Sequence, residues 1–135
     1  MRESPSEQKE QGEWHYQWSR FRDDAEFLFS EWIAPNTLQS FEGLRVLEAG
    51  CGPGHHTRLV APHCAHITAV DLNTADLVSG VAREFDNITA IKADIATMTC
   101  DDPFDVVFAV GVVHHTDDPD ATVANLKRLV RPGGR

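Results

Sequence analysis

Val46-Leu47-Glu48-Ala49-Gly50-Cys51-Gly52-Pro53-Gly54 decides the fold. An apolar run ends in three glycines at alternate positions, and a short helical stretch from Thr57 to Ala61 follows, stopped by Pro62. That is a strand feeding a tight turn that opens a helix. Glycine accepts positive φ and carries no Cβ, so a ligand can lie directly against Gly50, Gly52 and Gly54. Dinucleotide sites use a similar turn, but their G-x-G-x-x-G pattern wants a glycine where this chain has His55. Glu48 also precedes the first glycine. A carboxylate there would repel a pyrophosphate and suits a ligand bearing an ammonium and a sulfonium.

Outward from this turn, apolar runs alternate with helical stretches. Leu44 to Ala49, His66 to Val70, Ile88 to Ala93 and Phe104 to Val110 read as strands, the last apolar enough to be buried on both faces. Thr74 to Phe85 reads as a helix facing inward through Leu77, Val78, Val81, Ala82 and Phe85. Asp118-Pro119 opens another helix, running to about Arg131 with Lys127, Arg128 and Arg131 in its last turns. The order β-α-β-α-β-β-α predicts an α/β domain with a Rossmann-like open parallel sheet of about four strands. Upstream, Trp14, Trp18, Phe21, Ala25, Leu28 and Trp32 recur at helical spacing until Pro35. The expected organisation is a disordered tail over 1–12, a helical segment over 13–42 that packs on the domain or forms a lid, and the sheet domain over 43–135.

Carboxylates recur at the strand ends. Asp71 lies 21 residues after Gly50 and could accept hydrogen bonds from both hydroxyls of a ribose, with Leu72 beside it. Asp94 and Ile95 follow the third strand and could meet an adenine amino group and its ring. Ala109 to Gly111, then His114 and His115, reach the same edge from the fourth strand.

Composition narrows the function. Twelve Lys and Arg against 21 Asp and Glu give a net charge of −9, which disfavours nucleic acid and anionic lipid as partners. No apolar run approaches the roughly 18–20 residues that span a bilayer. The polar start lacks a secretory signal. Three scattered cysteines form neither a disulfide framework nor a C-x-x-C, and the histidine pairs lack a metal-ligand spacing. A cytoplasmic, metal-free protein is expected.

The segments V-L-E-A-G-C-G-P-G, A-V-D-L-N, K-A-D-I, F-D-V-V-F-A-V-G-V-V-H-H and L-V-R-P-G-G, taken in order over residues 44–134, resemble the class I S-adenosylmethionine-dependent methyltransferases. The H-H-x-x-D-P stretch and the closing R-P-G-G are most similar to the small-molecule branch that includes ubiquinone-biosynthesis enzymes. The resemblance implies methyl transfer from S-adenosylmethionine to a small-molecule acceptor. It implies that Gly50, Gly52 and Gly54 hold the methionine part and ribose, and that Glu48 faces the methionine ammonium. Asp71 and Leu72 would then meet ribose and adenine, Asp94 and Ile95 the base, and Ala109 to Gly111 the methyl end. His114 or His115 would serve as general base for an oxygen acceptor.

Two other functions use the same sheet. One is a nicotinamide-dependent oxidoreductase, which Glu48 and the glycine spacing oppose. The other is a non-catalytic domain that binds S-adenosylmethionine or only associates with another chain. The family sheet has seven strands, so the chain reads as truncated after the fourth strand and its helix. Phe104 to Val110 holds one charge, Asp105, and no proline, so as an open edge it is expected to promote self-association.

Overall fold

The computed structural model describes residues 25–73 and 80–135. The chain divides into two units between Ala34 and Pro35. In the first, residues 25–33 are helical and a turn at 34–35 ends the helix ahead of Pro35. Its buried residue is Phe29, whereas Leu28 and Trp32, expected on the inner stripe, are exposed together with Phe27. The expected tail, and Trp14 to Phe21 of the helical stripe, lie outside the described residues. A 3-10 turn at Leu38–Phe41 belongs with the sheet unit, where the Phe41 ring meets Phe108 edge-on, centroids 5.7 Å apart.

The second unit is a four-stranded, wholly parallel sheet in the order β3-β2-β1-β4: β1 Arg45–Ala49, β2 His66–Asp71, β3 Ile88–Lys92 and β4 Val106–Phe108. The strand opening the glycine turn is therefore central, with Leu47 level with Thr68 on one side and Val107 on the other. Helices α1 (His55–Val60) and α2 (Pro119–Leu129) follow β1 and β4. Most of the helix expected over 74–85 lies outside the described residues; residues 80–82 are helical.

The buried apolar side chains form two clusters. Leu47 and Ala49 pack with Val70, Ile95, Phe104, and Leu126 and Leu129 of α2. A smaller cluster joins Cys51, Ala69 and Val81, with Phe85, Ile88 and Ala90 against it. Asp118 caps α2 as its sequence predicts, accepting from the Ala121 N–H at 3.0 Å, with Pro119 in the first turn. The helix stops at Leu129, two residues early. Arg131 therefore leaves the last turn and pairs with Asp105.

The fourth strand differs most from expectation. Only Val106–Phe108 is strand, and its edge is partly occupied by the chain's own end. Phe104 N donates to Leu129 O at 2.7 Å, Arg131 N to Phe104 O at 2.9 Å, Val107 N to Arg135 O at 2.7 Å, and Arg135 N to Asp105 O at 3.0 Å. The turn at Pro132 to Gly134 sends the backbone back alongside β4, so the expected open ladder over Phe104 to Val110 is closed along its first half.

Candidate ligand cleft at the carboxyl edge

The carboxyl ends of β1, β2 and β3 and the segment after β4 enclose a cleft of about 320 Å3. That lies within the roughly 300–1,000 Å3 of small-molecule sites. One wall is Gly50, Asp71, Leu72 and Ala93 to Ala96; the other is Val112 and His115 to Asp118. Of the expected site residues, Gly50, Asp71, Leu72, Asp94, Ile95 and His115 meet here. Glu48, Gly52, Gly54, Ala109, Gly111 and His114 do not line it.

The glycine turn has positive φ at all three glycines: 79° at Gly50, 52° at Gly52 and 89° at Gly54. Gly50 N and Cys51 N both donate to Val70 O, at 2.8 and 2.9 Å, fastening the turn to β2. A Cβ on Gly50 would stand 2.5 Å from the Val112 methyls, so here it is protein packing that requires glycine. A Cβ on Gly52 would meet nothing within 4 Å. At Gly52, unlike Gly50, the backbone offers an open approach of the kind expected of the turn.

Asp71 braces the site. Its Oδ2 accepts from Gly52 N at 3.1 Å and its Oδ1 from Asn73 N at 3.0 Å. Leu72, 54% exposed, offers an apolar surface beside it. Asp94 Oδ1 accepts from Ala96 N at 2.9 Å, turning the chain so that Ile95 goes into the core.

Two asparagines missed by sequence reasoning hold loops, Asn125 at the cleft and Asn87 away from it. Asn125, buried on α2, donates to Ile95 O at 2.9 Å and Met98 O at 3.1 Å. Asn87 donates to Ala61 O at 2.7 Å and Cys64 O at 3.1 Å. The far wall is tied internally: Thr122 Oγ1 donates to Asp118 O at 2.9 Å and stands 3.2 Å from Thr116 Oγ1, and Thr116 Oγ1 donates to Val113 O at 2.6 Å. In this wall the 3-10 turn Val113–His115 stacks the two histidine rings 3.9 Å apart, both exposed, with His115 against the cleft. Thr116, Asp117 and Asp118 also line it; Asp118 was legible only as a helix cap.

Glu48 lies behind the turn, 2% exposed. The Thr57 hydroxyl of α1 donates to its Oε1, and His56 Nδ1 stands 3.8 Å from its Oε2, beyond hydrogen-bond reach. Burial pushes the Glu48 carboxyl up to about 8, the Thr57 hydrogen bond opposing and the Asp71 charge adding to the rise. Burial, with His55 nearby, pushes His56 down to about 4. Near neutral pH both are mainly uncharged, so their proximity is not an ion pair. Burial also raises the Cys51 thiol to about 12, helped by Glu48 and Asp71. Among the described residues no group of three or more His, Cys, Asp or Glu side chains could hold a metal ion. None of the described helices is long and apolar enough to cross a membrane.

An open parallel sheet with a glycine turn and a carboxylate-lined cleft beyond its strand ends defines a small-ligand domain of the doubly wound α/β class. The particular lineage is equally plain: the chain belongs to the methyltransferase domain family, whose model matches residues 47–135. A ubiquinone biosynthesis O-methyltransferase of Aromatoleum aromaticum is 32% identical over 148 residues, spanning all of this chain and 62% of that protein. Among solved structures, the complex of DhpI with SAM and HEP is 27% identical with a TM-score of 0.63, over 87% of this chain and 52% of DhpI. The N-methyltransferase NodS from Bradyrhizobium japonicum, solved with S-adenosyl-L-homocysteine, shares the fold at 23% identity and a TM-score of 0.64. It matches over 68% of this chain and 50% of NodS. The chain thus spans between 50% and 62% of the length of these relatives.

Proposed function

We propose that this chain binds S-adenosylmethionine in the cleft and belongs to an enzyme that methylates a small molecule. The carrying observation is the convergence of Gly50, Asp71, Leu72, Asp94 and Ile95, from three strand ends, on one cleft. The residues suit the group. Gly52 leaves open space at the turn, Asp71 and Asp94 offer acceptors for hydroxyl and amino donors, and Leu72 offers an apolar face. Among the described residues no Lys or Arg lines the cleft, while four aspartates do, a setting that disfavours a pyrophosphate-bearing dinucleotide.

When bound, S-adenosylmethionine supplies a methyl group already activated on a positively charged sulfur. What remains for the protein is chiefly placement, holding an acceptor in line with that methyl. In this reading Asp71 and Leu72 hold the ribose end, and Asp94 and Ile95 hold the base. The wall from Val112 to Asp118 faces the acceptor. His115 takes the proton from an oxygen acceptor, while His114, outside the cleft lining, stacks against it. The acceptor is a small molecule of the kind the O-methyltransferase relatives modify.

Calorimetric titration of the chain with S-adenosylmethionine, S-adenosylhomocysteine and NAD tests this. Saturable 1:1 binding of the first two and none of NAD is expected; NAD binding alone would return the domain to the oxidoreductases.

A further inference from the structure

Asn125 is a buried amide on α2, beside the core residue Leu126. A buried amide is costly unless it is bonded, and this one is bonded at both ends. Its Nδ2 donates to Ile95 O at 2.9 Å and to Met98 O at 3.1 Å, and its Oδ1 accepts from Arg128 at 3.1 Å. Asn125 does not line the cleft, but the loop it grips does, through Ala93 to Ala96. Asp94 is the hub of that loop. Its Oδ1 accepts from Ala96 N at 2.9 Å, and its carbonyl accepts from Thr97 N at 3.2 Å and Met98 N at 2.8 Å. The loop is thus bonded as one unit. Ala93 N joins it to β2 by donating to Asp71 O at 3.1 Å, and the Asn125 amide joins it to α2. Ile95 and Met98 also pack into the core, but apolar contact is non-directional and permits sliding. Two hydrogen bonds from one planar amide to carbonyls three residues apart do not.

Resting on the proposed placement of the base at Asp94 and Ile95, we infer that Asn125 is a positioning residue that sets the cleft's selectivity between a 6-amino and a 6-oxo purine. A 6-amino group donates to the Asp94 carboxylate, whereas a 6-oxo group turns lone pairs toward it and is repelled. The repulsion discriminates only while the carboxylate cannot move aside. Asp94 turns with its loop, and the loop is held in orientation from α2. The discrimination therefore depends on a residue that meets no ligand. Freeing the loop weakens the grip on the amino compound and relieves the penalty on the oxo compound, so the two affinities converge.

The test is calorimetric titration of the whole chain with S-adenosylhomocysteine and with its 6-oxo analogue, S-inosylhomocysteine. The wild type should prefer the amino compound by about ten- to a hundred-fold, the size of one hydrogen bond to a charged group. Asn125→Leu removes the amide, and Asn125→Asp keeps its shape and the acceptor for Arg128 while removing both donors. In each the preference should shrink to less than about a third of the wild-type ratio, a change of roughly one weak hydrogen bond. A merely structural Asn125 would lower both affinities equally and leave the ratio alone. Circular dichroism identifies a variant that does not fold, and the other then decides. Should neither fold, hydrogen exchange on the wild type decides. S-adenosylhomocysteine should slow residues 122–128 more than the 6-oxo analogue does at equal saturation, and equal slowing counts against the clamp. A ratio held at the wild-type value in a folded variant overturns the inference. So does a wild type that binds both compounds equally, which leaves the proposed cofactor intact. Absence of S-adenosylhomocysteine binding overturns both.

Discussion

Gly50 and Gly52 sit two residues apart in one turn, yet substitution should fail at each for a different reason. At Gly50 an added methyl meets the Val112 side chain at 2.5 Å and φ is 79°. Gly50→Ala should cost about 1–3 kcal/mol of stability and push the far wall of the cleft outward. At Gly52 the space is open, leaving only the backbone strain of φ 52°. Gly52→Ala should therefore lose about 1–2 kcal/mol, and its larger effect should be on ligand affinity, since the methyl projects where the backbone is open to approach. Chemical denaturation and titration with S-adenosylhomocysteine, run on both variants, separate the cases. Equal losses of stability with unchanged affinity would remove Gly52 from the site. Asp71→Ala should weaken S-adenosylhomocysteine about ten- to a hundred-fold, from about 1.5–3 kcal/mol per hydrogen bond to a charged group. Part of that loss is indirect, because the same carboxylate holds Gly52 N. Asp71→Asn keeps one acceptor oxygen and should fall between.

The loop after β3 depends on α2. Asn125 gives both amide hydrogens to carbonyls of Ile95 and Met98, and Arg128 donates to its oxygen at 3.1 Å. Asn125→Leu strands two backbone acceptors, and a loss of about 1–3 kcal/mol is expected. Hydrogen exchange should quicken in residues 94–98 ahead of the sheet; uniform loosening of the whole domain would contradict the clamp. Such a clamp was not legible in the sequence, because an asparagine inside an amphipathic helix reads as a surface residue. The glycine turn was legible because a change from strand period to helical period brackets it. The Glu48–Thr57 pair escaped notice: one buried polar contact nine residues apart leaves no periodic signal. The fourth strand was overdrawn for a related reason. Val106 to Val110 is continuously apolar, but apolarity reports burial, and Ala109, Val112 and Val113 spend theirs in the core after the ladder has ended.

Across the whole molecule, buried Glu48 and half-buried His56 set opposing pH slopes. Glu48 rises from 4.5 to about 8 on folding, so the folded state holds the extra proton and stability falls as pH climbs through that interval. His56 drops from 6.5 to about 4, so stability is lost as pH falls through that interval. The slopes oppose each other between about 4.5 and 6.5, and only that of Glu48 remains from 6.5 to 8. The urea midpoint of the free protein should therefore decline between pH 6.5 and 8, and Glu48→Gln should flatten that limb. A wild-type midpoint rising over the same limb would contradict the buried neutral carboxyl. The sheet edge carries a second expectation at this scale. Deleting residues 132–135 frees the N–H of Val107 and the carbonyl of Asp105. Light scattering should then show more concentration-dependent association than in the undeleted chain. If the deletion leaves scattering unchanged, the segment does not guard the edge.

The sheet order also carries a message about time. β1 pairs with β2 across a gap of 21 residues, Arg45 with His66, but with β4 across 60, Val46 with Val106. Closing the longer loop costs more chain entropy, so that pairing is expected to come later. The strand bearing the glycine turn would find the Asp71 strand while the segment bearing His115 is still unattached. One half of the cleft then serves as the template on which the other half is laid, and a ligand gripping the first half could act on the chain before folding is finished.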